Sequence, residues 1–303
     1  MYDIAIVGGG PAGLSCAIYA GRAGLSCVII ERAFIGGQMA TTDVIENYPG
    51  IKSISGYDLA ESMRESALSL GCEFIEGEVE SVSDKGAIKE VICDGRAIEA
   101  KAVLLAMGAQ RRKLGVDGEE QYTGSGVSYC ATCDGNFFKD RDVMIVGGGN
   151  TALEEAMYLS NFAKSVTLVH RRDEFRAERH LVELLKANEK INVIYDSVLK
   201  QISGRFKVQN VVLENVKTNE TTEMPIDGVF IAVGTVPQTD MVKDFVKLDK
   251  GGYIIANEMM ETDIPGIFAA GDVRQKELRQ VVTAASDGAI AANMIGRYIN
   301  KTL

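Results

Sequence analysis

The stretch DVMIVGGGNTALEEAMYLSNFAKSVTLVHRR, residues 142–172, decides the fold. A β-rich run ends in glycines, small residues and an apolar helical period follow, and a second β-rich run closes the unit. The same arrangement stands at 3–31 as DIAIVGGGPAGLSCAIYAGRAGLSCVIIE. Gly8 and Gly147 permit the tight turn, Gly10 and Gly149 let the backbone approach a pyrophosphate, and Gly13 and Ala152 allow each helix to pack closely on its strand. An anionic phosphate then sits at the positive helix N-terminus, beside Pro11 and Ala12 in the first copy and Asn150 and Thr151 in the second. One glycine turn alone is weak evidence. Two copies, each between a strand and a helix, predict an α/β protein with two Rossmann-like nucleotide-binding domains.

The ends of the two second strands differ, and the difference assigns the ligands. Glu31, followed by Arg32, presents a carboxylate that accepts hydrogen bonds from a ribose diol and repels a 2'-phosphate, so the first site suits FAD or NAD. In the second copy the acid is replaced by His170-Arg171-Arg172, with Arg176 a turn further on. Planar, permanently charged guanidinium groups suit a phosphate dianion, which points to NADPH. The competing reading is a solvated basic face, because HRRDEFRAERH at 170–180 also contains acids able to form i,i+4 pairs.

A glycine-ended strand, AVLLAMGAQ at 102–110, closes the first unit, and VFIAVGTVPQT at 229–239 closes the second in the same way. The segment GIFAAGDVRQKELRQVVTAASDGAIAANMIGRYI at 266–299 then reads as a strand, an Asp-bearing turn and a long apolar-periodic helix with no glycine triad. The chain is therefore expected to return to its first domain. Residues 1–111 and 245–303 form a discontinuous FAD-binding domain, and 112–244 form an inserted NADPH-binding domain. Asp272 is expected to face the flavin's ribityl chain and the amides near Gln280 its pyrimidine end, although by local sequence Asp272 reads equally well as a turn or cap residue.

The bulk properties agree with this organisation. With 303 residues, 46% hydrophobic and 24% charged, the chain has the composition of a two-domain globular protein. Glycines, prolines and charges interrupt every apolar run short of the roughly 20 residues that span a bilayer. Met1-Tyr2-Asp3 runs straight into a β-rich segment, with no secretory leader pattern, so the expected location is cytoplasmic with no membrane partner. A net charge of −10 argues against a general nucleic-acid binder. Cys16, Cys27, Cys72 and Cys93 are scattered among apolar neighbours and read as core residues. Only Cys130 and Cys133, in SYCATCDGNFF at 128–138, have a spacing that suggests chemistry.

The motifs GGGPAG, GGQM with ENYPG, CATCDG, GGGNTALEEA, HRRDEFRA, and GIFAAGDV with RQVVTAASDGA, in this order, resemble the low-molecular-weight NADPH-dependent thioredoxin reductases of the flavoprotein disulfide reductase superfamily. The resemblance covers essentially the whole chain. It implies FAD and NADPH as cofactors, thioredoxin or a thioredoxin-like disulfide protein as partner, and a homodimer. By the same resemblance Gly36, Gly37, Gln38, Asn47 and Gly108 look like flavin contacts, as do Arg279, Gln280 and Val281. Cys130 and Cys133 look like the redox pair, and Asp134 like its acid/base. Ser286 departs from the glycine common at that position, which puts the packing beside the flavin in question.

The chemistry of the CxxC is consistent with that role. A zinc site needs about four ligands, and the chain offers no second CxxC and only His170 and His180, so no metal is expected. A permanent staple across so short a loop would remove little denatured-state entropy. A reversible dithiol remains, helped toward the thiolate if the segment opens a helix. The inferred electron route runs from NADPH to flavin to the Cys130–Cys133 disulfide, with Cys133 nearer the flavin, and on to thioredoxin by exchange. The alternatives are a related reductase for another disulfide protein, a ferredoxin:NADP reductase of similar architecture, or a flavin-bearing sensor that does not turn over.

Overall fold

The computed structural model describes residues 1–42 and 44–302, with the side chains of 301 and 302 outside the description. The chain forms two compact units, one of Met1–Gln110 with Val236–Leu303 and the other of Arg111–Thr235. The return crossing falls earlier than the residue-245 boundary expected from sequence. Its reason is packing: Val242 is buried in the first unit's core with Val79, Val82 and Val103.

In the first unit β1 (Tyr2–Val7), α1 (Pro11–Arg22), β2 (Cys27–Glu31), α2 (Gly56–Ser69) and β3 (Glu73–Glu76) are followed by β4 (Val79–Asp84), β5 (Lys89–Cys93) and β6 (Arg96–Leu105). Strand order is β3-β2-β1-β6-β5-β4, with β1, β2, β3 and the later half of β6 parallel and β4 and β5 an antiparallel hairpin. The first strand is apolar on both faces because both are covered. Ile4 and Ile6 pack toward α1 and the C-terminal helix, and Ala5 and Val7 toward Val28, Ile30 and Leu105. Each fully buried isoleucine contributes about 1.5–3 kcal/mol.

Short strands β7 (Ala109–Arg111) and, later, β16 (Thr235–Pro237) pair with each other where the chain crosses. The second unit holds β8 (Val127–Ser128), α3 (Ala131–Asp134), β9 (Asp142–Gly147), α4 (Asn150–Ser160), β10 (Ser165–Val169), α5 (Arg179–Lys186), β11 (Ile191–Ile194) and β15 (Gly228–Ala232). Its five-stranded sheet runs β11-β10-β9-β15-β8, parallel throughout. Between β11 and β15 lie β12 (Ser197–Gly204), β13 (Val208–Asn215) and β14 (Thr221–Pro225), an antiparallel sheet. The first unit is completed by β17 (Ile267–Ala269), parallel to β6, and α6 (Val281–Thr302). Helix α6 lies against α1 so closely that a Cβ on Gly288 would fall on the Ala12 carbonyl oxygen. Ser286 points out of this packing and is exposed, so its departure from glycine leaves the core undisturbed.

Candidate active site

The two glycine turns behave alike. A Cβ on Gly8 would strike the Ala106 carbonyl, and one on Gly147 the Ala232 carbonyl, so each turn is pressed against the strand that closes its unit. Only Gly8 needs a left-handed conformation, at φ 107°. A Cβ on Gly13 would collide with the Gly8 carbonyl, whereas the alanine at 152 is accommodated with its side chain beside Gly147. At Gly10 and Gly149 a Cβ would meet nothing within 4 Å. These glycines also cap α1 and α4, and neither helix has a side chain bonded to its first amides. Helix α2, by contrast, is capped by Ser55, whose hydroxyl accepts from the Asp58 amide at 3.0 Å. Open backbone and uncapped amides in the two glycine-turn helices fit a pyrophosphate at each.

Around the first turn, Glu31 accepts from the Gly9 and Ala33 amides at 2.8 and 3.0 Å. Glu31, Arg32, Gly8 and Gln238 line a cavity of about 250 Å³. The neighbouring loop is pinned by the Gly36 amide on the Gly9 carbonyl at 2.8 Å, and Gly36 and Gly37 both take positive φ, 102° and 55°. A Cβ on Gly37 would lie 3.7 Å from the Gly10 Cα, and Gly108 opens onto free space. Gln38 donates its amide to the Ala109 carbonyl. Asn47 donates to the Gln280 side chain at 3.1 Å, joining that loop to the start of α6 at Val281. Arg279 stacks over Tyr253 at 4.1 Å, and its Nε donates at 3.5 Å to the carbonyl of Asp272. Pro11 occupies the first turn of α1, and Ala12 is buried beside Gly271 and Gly288. All these positions suit FAD, whose isoalloxazine would accept a hydride and pass on electrons.

Sequence reasoning missed what fastens this loop. Asp287, buried on α6, accepts from Arg274 Nε at 2.9 Å and Nη2 at 3.1 Å, from Lys276 Nζ at 2.8 Å and from the Gly271 amide at 2.9 Å. Burial works against its ionisation, but Arg274, Lys276 and the Gly271 amide together hold the carboxyl below its ordinary range. The turn carrying Asp272 is thereby tied to α6.

In the second unit a cavity of about 580 Å³ is lined by Gly147, Gly149, Thr151, Ala152, His170, Arg171, Arg172 and Arg176. Arg112 and Lys113, not picked out in the sequence, add to its positive charge, and no acidic side chain lines it. Among the described residues, Arg171, Arg172 and Arg176 form no ion pair, and α5 begins only at Arg179. Two of the three acids of this segment are engaged elsewhere: Asp173 meets Lys217, and Glu178 meets Asn150. Arg171, Arg172 and Arg176 are exposed, as a solvated face also requires, but among the described residues they carry none of the i,i+4 pairs expected of one. His170 and Asn150 have structural positions. The His170 ring lies under Gly148 and beside Phe175, with Nε2 3.0 Å from the Glu174 carbonyl. Asn150 exchanges hydrogen bonds with Glu178 at 3.1 and 2.9 Å.

Strand β8 pairs with β15 and delivers the CxxC to the carboxyl end of this sheet, where α/β proteins place their ligands. Cys130 and Cys133 form a disulfide with Cα atoms 5.3 Å apart, closed over the short helix α3 that Cys130 caps. The Cys133 and Asp134 amides donate to the Cys130 carbonyl at 3.3 and 3.1 Å. Ser128 donates to Asp134 Oδ2 at 2.6 Å and accepts from the Cys130 amide at 3.1 Å, so the proposed acid/base is oriented by the residue that ends β8. Tyr129 donates at 2.7 Å to Glu119, and burial with that carboxylate pushes its phenol up to about 12. Glu119 itself is buried and accepts from the amides of Leu114, Gly115 and Val116. The remaining cysteines, 16, 27, 72 and 93, are free and buried.

Two nucleotide-binding units and a bridged CxxC define a flavin- and nicotinamide-dependent disulfide oxidoreductase. The family model of pyridine nucleotide-disulphide oxidoreductases matches residues 2–288, and the chain belongs to that family. Within it, the chain is 45% identical to the thioredoxin reductase of Bacillus subtilis (strain 168), over 99% of this chain and 96% of that protein. The solved thioredoxin reductase of Streptococcus pyogenes MGAS5005 matches with 52% identity and a TM-score of 0.95, covering 99% of each chain. That of Giardia duodenalis matches with 36% identity and a TM-score of 0.94, again over 99% of each.

Proposed function

We infer that the protein is an NADPH-dependent thioredoxin-disulfide reductase, with FAD and NADPH as its cofactors. The observation that carries this reading is the Cys130–Cys133 disulfide at the sheet end of the unit whose cavity collects Arg171, Arg172 and Arg176. The first unit is proposed to hold FAD through the Gly8–Gly13 turn, Glu31 and the 36–38 loop. The second is proposed to hold NADPH, with Arg171, Arg172 and Arg176 on the 2'-phosphate. In the reductive half, the S–S bond breaks and two electrons enter the cysteine pair. In the oxidative half, one thiolate attacks the disulfide of thioredoxin and the second cysteine resolves the mixed disulfide. Asp134, held by Ser128, is proposed to move the protons of these steps. A homodimer in the cytoplasm completes the reading; among the described residues, no helix is long and apolar enough to cross a membrane.

The test is NADPH-dependent reduction of a thioredoxin by the purified yellow protein. Cys130→Ser and Cys133→Ser should each abolish that activity while leaving FAD bound and reducible by NADPH. Full thioredoxin reduction by either single variant would refute the dithiol mechanism.

A further inference from the structure

Helix α4 carries the second unit's pyrophosphate turn at its start and, one turn later, two adjacent acids. Glu154 is exposed, whereas Glu155 turns inward toward the redox helix. Its Oε1 accepts from the amide of Ala131, the residue next to Cys130, at 3.3 Å. Its Oε2 is buried and meets no hydrogen-bond partner among the described residues. A carboxylate in such a place is costly, because an acceptor-only group has one oxygen desolvated and unsatisfied. A carboxylic acid is not, since the proton resides on the oxygen that lacks a donor.

We propose that Glu155 is a positioning residue of the dithiol that also holds a proton: seated on the Ala131 amide, it takes up one of the protons that accompany opening of the Cys130–Cys133 disulfide. This rests on the reading of the protein as a thioredoxin reductase. In the step, the S–S bond breaks and two electrons, supplied through NADPH and FAD, enter the pair. One sulfur takes a proton and the other remains a thiolate. The second proton goes to Glu155, because a new negative charge beside the Ala131 segment disfavours a carboxylate there. Burial already raises this carboxyl to about 7, against the lowering by the Ala131 amide and the Arg111 guanidinium. The charged groups acting on it are Arg111 from β7, which favours ionisation, and Glu154 on α4, which opposes it. On α3 Asp134, bonded to Ser128, passes protons to and from the sulfurs, and Glu155 stores the one that the thiolate leaves over.

The arrangement gives a device that bare thiols lack. While the carboxyl is neutral it puts no charge beside the thiolate, and once it ionises its negative charge next to Cys130 disfavours the thiolate. Glu155 thus sets the pH at which the reduced pair becomes nucleophilic.

The experiment uses the full-length, FAD-loaded protein as wild type, Glu155→Gln and Glu155→Ala. Each is equilibrated with dithiothreitol at a fixed oxidised-to-reduced ratio between about pH 6 and about pH 8.5, quenched in acid and alkylated, and the thiols at 130 and 133 are counted by mass. Dividing the wild-type equilibrium constant for reduction by that of Glu155→Gln cancels the reagent's own protons. That quotient should fall by about threefold to tenfold as pH rises through neutrality, because only the wild type gains a proton at 155. Glutamine keeps the contact to Ala131 but cannot titrate, so a purely structural role predicts a flat quotient. A quotient constant within about twofold overturns the proposal. Retained FAD reports folding, and Glu155→Ala, which removes charge and contact together, must show the same loss of pH dependence if the glutamine variant does not fold. A wild-type disulfide that never opens in the buffer would instead sink the thioredoxin reductase reading itself.

Discussion

At the scale of single residues, discrimination between nicotinamide cofactors is a question of which side chains meet the ribose. Glu31 ends β2 with a carboxylate already holding two backbone amides, while Arg171 and Arg172 follow β10 on a cavity without acids. Arg171→Ala or Arg172→Ala should therefore weaken NADPH binding and spare NADH. Loss of one charge-assisted hydrogen bond costs roughly 1.5–3 kcal/mol, about tenfold or more in affinity. Equal losses for both cofactors, read by fluorescence titration, would show that these guanidinium groups do not read the 2'-phosphate. His170 belongs to the same sequence cluster, yet its buried ring supports Gly148, so its replacement should disturb the turn and both cofactors alike.

At the scale of elements, the turn Gly271–Val273 and helix α6 act as one piece because Asp287 joins them. Arg274 and Lys276 have side chains only 9% and 8% exposed, so Asp287→Ala would leave two cations buried without their counter-charge. Breaking a buried pair in this way costs about 3–5 kcal/mol, and a lower Tm and weaker FAD retention are expected. The pH dependence follows from the sign of the shift. Because the folded-state pKa is depressed, the contribution is complete above the ordinary aspartate range near pH 4 and is lost as pH falls through the lower folded value. Wild-type stability should drop in that acid window, and the drop should be smaller in the variant. Equal acid profiles for the two proteins, in urea titrations, would count against this role.

At the scale of the whole molecule, the CxxC and the proposed NADPH cavity lie on the unit Arg111–Thr235, while the proposed flavin residues lie on the other. The flavin must meet nicotinamide, then the disulfide, and the dithiol must afterwards meet a protein-sized partner. One fixed arrangement serves these contacts poorly, so the second unit is expected to rotate on its two short crossings. A disulfide cross-link engineered to hold the cysteines facing the flavin should block flavin reduction by NADPH and leave photochemical reduction intact. Undiminished NADPH turnover in the verified cross-linked protein would rule rotation out.

Much of this was legible in the sequence because it is local. A period of two giving way to 3.6, glycines at a strand end, a carboxylate or a pair of arginines at the next strand end, and two cysteines three apart are short-range patterns whose physics is complete within one unit. The antiparallel sheet β12–β14 was not separated from the Rossmann repeat, since it carries no glycine signature. Nor could the sequence say which of Glu154 and Glu155 turns inward, because adjacent residues on a helix are told apart only by the face it packs on α3. Asp287 stands within RQVVTAASDGA, but only the fold brings Arg274, Lys276 and Gly271 onto it. The return crossing falls before residue 245 for the same reason: Val242 takes its unit from the core that buries it, not from the strand preceding it. The sequence by itself determined two nucleotide turns and the cysteine pair, and it pointed to a ligand for each turn. Tertiary structure alone decided which charges are buried together, because burial depends on contacts between residues far apart in the chain.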